Sequence, residues 1–144
     1  MKEQNYSNHR RYILGFHFLL FFLGILALVG SIYFMVKSLI HATERLPSII
    51  LFIGALNFIM LFFYAREFAI KAQDRAIRAE ENLRYYALTG SLLDPRLTIP
   101  QIIALRFAPD LEFVGLVNRA IAENLSNDAI KKSIKDWKPD HHRA

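Results

Sequence analysis

The chain has 144 residues, 53% of them apolar and 12 of them Phe, with a net charge of +5 and no cysteine. That length holds one domain, or a short membrane anchor with one small soluble module, and excludes two ordinary globular domains; the missing cysteine removes disulfides, thiolate zinc sites and thiol nucleophiles together. Charge divides as five Lys/Arg against two Glu in residues 1–45, none in 46–65, and thirteen against eleven in 66–144, so basicity alone argues for no nucleic-acid partner.

Residues 1–11 are a polar N-terminal segment with Lys2, Arg10 and Arg11. The 25 residues that follow Arg11, "YILGFHFLLFFLGILALVGSIYFMV", carry no formal charge. A helix rising ~1.5 Å per residue crosses a hydrocarbon core about 30 Å thick with that length to spare. Signal-peptide cores are shorter and end in an A-x-A-like site, which is missing here, so residues 12–36 are predicted as a first transmembrane helix. A loop over 37–46 leads to a second uncharged stretch, predicted as a transmembrane helix over 47–65 with Pro47 in its first turn. Spans this closely joined form an antiparallel hairpin.

The Lys/Arg residues near the span ends set the direction. Lys2, Arg10 and Arg11 precede the first span, Arg66, Lys71, Arg75 and Arg78 follow the second, and only Lys37 and Arg45 lie between. Both termini are therefore expected in the cytoplasm, with the loop outside; Tyr12, Tyr33 and Tyr64 fall where interfacial aromatics are found. Inside the spans the strongly polar side chains are His17 and Asn57. Asn57 lies level with Gly24 and suits an interhelical hydrogen bond holding the hairpin or a dimer, beside a small-residue face of Gly24, Ala27 and Ser31, or a step in an ion path. His17 is shallow enough to snorkel to the interface, the alternative being proton transfer.

No helix breaker occurs between Pro47 and Gly90, so the second span is expected to continue into the cytoplasm over 66–90. Along it Ala55, Phe58, Phe62, Ala65, Ala69, Ala72, Ala76, Ala79, Leu83 and Tyr86 alternate spacings of three and four, a heptad seam. Its alanines favour close helix approach over buried area. Ile70 and Ile77 widen the apolar face. Glu67 with Lys71, Asp74 with Arg78 and Glu80 with Arg84 have the i, i+4 spacing of pairs on a solvated face. Asp74, Arg75, Arg78 and Glu81 are the charged candidates for a site there.

Residues 91–144 are predicted as a small helical module. Gly90 ends the long helix, Asp94-Pro95 marks a turn, and Thr98 with Gln101 forms a capping box for a helix over Ile99–Phe107. A second helix opens at Asp110 with Leu111, Val114, Val117, Ile121 and Leu125 on one face, and a third, capped by Ser126, carries Ile130, Ile134 and Trp137. Such short helices make a small core unless they fold back on the long helix, on its Ile70/Ile77 flank or on its ladder. Residues 120–137 have the cadence of a helix-turn-helix, but Glu123, Asn124, Asp128 and Asp136 run against it, and nucleic-acid binding is not expected.

Chemistry-bearing motifs are missing: no Gly-rich phosphate loop, metalloprotease motif or nucleophile elbow occurs. No catalytic, cofactor or metal residue is assigned; Asp140, His141 and His142 form at most a loose terminal metal set. Asp94, Arg96, Arg106 and Asp110 flank the first short helix, where pairing across it is expected.

The strings "QNYSNH" (4–9), "AQDRAIRAEENLR" (72–84), "LDPRL" (93–97), "QIIALRFAPD" (101–110) and Trp137 followed by Asp140 together resemble a family of small uncharacterised bacterial membrane proteins, a domain of unknown function. The resemblance spans nearly the whole chain. It implies a two-span protein of the bacterial cytoplasmic membrane and supplies no activity, ligand or catalytic residue. Gln73, Asp74, Arg75, Arg78, Glu80, Glu81, Arg84, Arg96, Gln101, Arg106 and Phe107 match the family pattern.

The expectation is an all-α, non-enzymatic membrane protein without a cofactor. It would act through the seam of Ala65, Ala69, Ala72, Ala76, Ala79, Leu83 and Tyr86, and its partners would be the lipid bilayer and either a second copy or another membrane protein.

Overall fold

The computed structural model describes residues 4–9 and 13–140; the expectations for Lys2, Arg10, Arg11, Tyr12, His141 and His142 lie outside the described residues. Among those described, the chain is all helical: a π-helical turn over Gly15–Leu20 leads into α1 (Phe21–His41), followed by α2 (Arg45–Thr89), α3 (Ile99–Leu105), α4 (Asp110–Ala122) and α5 (Asn127–Ser133). The helices of Gly15–His41 and Arg45–Thr89, 27 and 45 residues, are long and apolar enough to be candidate membrane spans. The chain forms two units, residues 12–68 and residues 1–11 with 69–144.

The first unit is a helical hairpin. On α1 the residues Gly24, Ser31 and Ser38 are buried at steps of seven, the repeat that keeps one helix facing another. Gly24 is needed for close approach: a Cβ there would lie 3.0 Å from Ile59 Cδ1 and 3.2 Å from Phe58 Cε1. On α2, Ser48 and Ala55 are buried. The serines bond back into their own helices, Ser31 Oγ to the Leu28 carbonyl and Ser48 Oγ to that of Arg45, both at 2.8 Å, so they act as small residues with satisfied hydroxyls. Phe62 stacks on Phe16 with ring centroids 4.6 Å apart and meets Phe21 at 5.7 Å. Ala27, expected on the small-residue face, is exposed, because α1 turns the 24/31/38 stripe inward. The connecting loop is shorter than expected, as α1 runs to His41 and α2 opens at Arg45; Ala42 and Glu44 take left-handed conformations, and Ser38 Oγ donates to the Thr43 carbonyl. Outside, large apolar side chains such as Phe22, Leu26, Val29 and Leu61 are exposed.

In the second unit α2 ends where Gly90, at φ 76°, donates its N–H to the Tyr86 carbonyl at 2.8 Å. Gln101 Oε1 accepts from the Thr98 N–H at 2.8 Å, and its Nε2 donates to the Leu125 carbonyl at 2.8 Å, tying the start of α3 to the loop after α4. Phe107, Phe113, Leu105, Val117 and Ile130 are fully buried together, with Tyr85 and Trp137 at the edge. Each such side chain contributes about 1.5–3 kcal/mol by leaving water. Two expectations are corrected. On α4, Val117 and Ile121 of the expected face meet the core, as does Leu125 just beyond the helix, but Leu111 is 99% exposed and Phe113, Leu116 and Ala120 complete the inner face: Phe113 sets the helix rotation by burying the larger side chain. The last helix stops at Ser133, because the Glu112 carboxylate accepts the backbone N–H groups of Lys135 and Asp136 at 3.0 and 3.1 Å and draws the chain into an extended path to Trp137.

Residues 4–9 fold against this same unit. Asp140 donates its N–H to Gln4 Oε1 at 2.8 Å, Tyr6 donates its hydroxyl to Asp128, and the His9 ring lies 5.8 Å from that of Trp137 and 6.0 Å from that of Phe107.

Candidate functional site

Two faces of the cytoplasm-expected half of α2 carry the candidate residues. Ile77 and Glu81 are buried and Gln73, Arg84 and Tyr85 are half-buried, and this stripe lies against the α3–α5 module. Ile77 stands one residue beyond Ala76, about 100° further round the helix. That rotation separates the two faces. Ala69, Ala72, Ala76 and Ala79 are exposed, as are Leu83 at 68% and Tyr86 at 53%; Ala65, in the hairpin, is exposed too. The module thus takes the Ile77 flank and leaves the alanine ladder exposed, with Ala76 at the rim of the cavity that the module borders.

Arg84 is the hub of the covered face. Its Nε donates to Asp110 Oδ1 at 2.7 Å, its two terminal nitrogens to the Ala108 carbonyl at 2.8 Å and to Glu81 Oε2 at 3.1 Å, and its guanidinium sits 4.2 Å from the centre of the Phe113 ring. A planar cation with several donors suits this place, where three acceptors and an aromatic face meet with little water. The expected i, i+4 pair of Glu80 with Arg84 does not form, because Asp110 and Glu81 have claimed the guanidinium. Burial pushes the Glu81 carboxyl above its ordinary range; the Arg84 charge and hydrogen bond and the Lys138 charge act the other way, and neighbouring Glu80 adds to the rise.

Arg106 pairs with Asp140 at 3.3 Å and lies over the Phe107 ring at 4.6 Å. Arg106 and Asp140 line a cavity of about 230 Å³ together with Gln73, Ala76, Ile77, Glu80, Glu81 and Lys138. Each buried charge in it is paired within its own side, Glu81 with Arg84 on α2 and Arg106 with Asp140 in the module, and the bonds that cross from α2 to the module are those of Arg84 to Asp110 and the Ala108 carbonyl. Arg96 pairs locally with Asp94 at 2.7 Å, and its hydrogen bonds hold the Asp94 carboxyl down to about 2. The expected pairing of Asp94, Arg96, Arg106 and Asp110 across α3 is therefore replaced by three separate pairs, two reaching out to Arg84 and Asp140. Asp74 is half-buried and Arg75 and Arg78 are exposed, and among the described residues none of the three joins this network. No group of three metal-ligating side chains occurs among the described residues.

The polar candidates of the hairpin unit are Asn57 and His17. Asn57 is exposed on the outside of the hairpin and donates to the Ile53 carbonyl of its own helix at 3.0 Å, so of the two expected interhelical bonds the one within the hairpin, to α1, is not made. The cause is rotation: Ala55 and Ile59 face α1, and Asn57 lies between them on the far side. His17 Nδ1 lies 3.1 Å from the Ile13 backbone, within the π-helical turn. In the supposed helix-turn-helix, Lys132 pairs with Asp128 at 2.8 Å and lies 5.3 Å from the Tyr6 ring centre, and Lys131 Nζ lies 3.3 Å from His9 Nε2.

Sequence reasoning missed the docking of residues 4–9 and the role of Glu112 as an acceptor of two backbone N–H groups. An aromatic and a histidine in a short polar segment, Tyr6 and His9, were the available signal for the first. Comparison with curated proteins and with solved structures finds no match. The model of a family of unknown function, DUF6526, matches residues 1–144, from the docked "QNYSNH" segment through the α2 ladder to the C-terminal module, and the chain belongs to that family.

Proposed function

We propose that this chain is a membrane-anchored, non-enzymatic scaffold or adaptor, which docks a partner helix on its bare alanine face at the cytoplasmic side of the bacterial inner membrane. The observation that carries this is the exposure of Ala69, Ala72, Ala76 and Ala79 while the C-terminal module occupies the Ile77 flank. A helix face lined by alanine admits another helix at the short end of the usual ~8–10 Å separation, and in the described chain these alanines are exposed, with the module bordering the face only at Ala76. Membrane anchoring is supported by the exposed Phe22, Leu26, Val29 and Leu61 on a hairpin whose inner surface is made of small residues. Placement of both ends on one side is supported by the hydrogen bonds of Gln4 and Tyr6 to Asp140 and Asp128. Their cytoplasmic side follows from the Lys/Arg excess beside both.

The chain has no cysteine, so single cysteines at Ala69, Ala72 and Ala76 can be crosslinked without background. In native membranes all three are expected to give specific adducts. Failure of every one of them to crosslink to any protein removes the docking role.

A further inference from the structure

The unpartnered face of α2 carries information about its occupant, which deepens the docking role proposed above and rests on it. In the register of the ladder, Ala69, Ala76 and Leu83 are a positions and Ala72, Ala79 and Tyr86 are d positions. The flanking g positions are then Phe68, Arg75 and Asn82, and the e positions include Gln73 and Glu80. In a parallel two-stranded coil each g residue faces the e residue five places on in the other helix. Five places on from Arg75 is Glu80.

We propose that the occupant is a second copy of the same chain, its α2 parallel and in register, with Arg75 of each copy paired to Glu80 of the other across the alanine seam. Two symmetric ion pairs then flank one seam. Both side chains are exposed, Glu80 at the rim of the cavity that the module borders, and among the described residues neither forms an ion pair, Glu80 having lost its i+4 neighbour Arg84 to Glu81 and Asp110. The apolar part of the contact is larger than the alanines alone: Leu83 is 68% and Tyr86 53% exposed, and both fall on the seam itself. Copies inserted in one membrane with one orientation already share the direction that this pairing needs. Confinement to that plane raises their effective concentration, so an alanine contact of modest area suffices.

The test uses the full chain in native membranes, with a cysteine at Ala72 on the seam or at Arg78 off it. Ala72→Cys is expected to give an oxidised band at twice the chain mass and Arg78→Cys at most a trace. Arg75→Glu or Glu80→Arg alone should lower the Ala72→Cys band several-fold, and the two together should restore it. Equal bands from both cysteines, or a band indifferent to both charge reversals, overturns the proposed pairing. An Ala72→Cys adduct of any mass other than twice the chain overturns the second copy while leaving helix docking in place. No adduct from any seam position removes both.

Discussion

Arg84 and Glu81 fix how α2 meets the module, and they do so at a cost visible in titration. The Glu81 carboxyl is buried beside a cation that already serves Asp110 and the Ala108 carbonyl, so the Arg84 charge offsets only part of its desolvation. A carboxyl raised in the folded state favours folding most when protonated. Its contribution is fully present below the ordinary value of 4.5 and is lost as pH rises through the higher folded value. Asp94, held at about 2, works in the opposite sense, present above its ordinary 3.8 and lost as pH falls through 2. The difference between wild type and Glu81→Gln therefore isolates Glu81. Thermal melts of the full chain in detergent should lose midpoint temperature as pH rises from about 4.5, whereas Glu81→Gln, which keeps an acceptor for Arg84, should show a flatter profile. Parallel profiles would assign the pH response to other groups.

At the scale of the element, a helix is defined by which of its faces are taken. The hairpin depends on one point of close approach, and two glycines of α1 offer an internal comparison. Gly24→Leu drives a side chain into Ile59 and Phe58 and should destabilise the chain by about 1–3 kcal/mol, while Gly30→Leu, with nothing within 4 Å of its Cβ position, should change it little. Equal melting midpoints for the two variants would show that the helices do not meet at Gly24. The caps and breaks were legible in the sequence because their causes are local: Gly90 at a helix end, Thr98 with Gln101, and Ser126, whose Oγ accepts the Ala129 N–H at 3.2 Å. The rotation of each helix was not. On α4, Leu111 and Phe113 offer competing apolar stripes, and only the space beside Tyr85 and Arg84 selects Phe113. On α2 the heptad of alanines is the more regular pattern, yet the module binds the less regular Gln73, Ile77, Glu81 stripe, because Arg84 beside it has the length and charge to reach Asp110, the Ala108 carbonyl and the Phe113 ring. Asn57 likewise has a partner within its own helix, an option that spacing does not disclose.

Across the whole molecule, the second unit is tied by contacts between segments far apart in the sequence, residues 4–9 and residues 107–140. Gln4 meets Asp140, Tyr6 meets Asp128 and Lys132, and His9 lies among Phe107, Trp137 and Lys131. Trp137→Ala removes the ring on which His9 rests, and amide exchange of residues 6–9 should accelerate roughly tenfold, the equivalent of about 1.4 kcal/mol, together with that of residues 131–135. Unchanged exchange over residues 6–9 would mean that Tyr6 and Gln4 hold the segment alone. The resemblance-bearing strings "QNYSNH" and Trp137 with Asp140 stood far apart in the sequence, and no spacing rule joins residues separated by 136 positions. The same separation orders their synthesis. At translation rates of about 5–20 residues per second, Asp128 and Trp137 emerge several seconds after Tyr6 and His9. The segment of residues 4–9 therefore reaches its seat only once residues 128–140 have been made, which places its docking late in the folding of this unit.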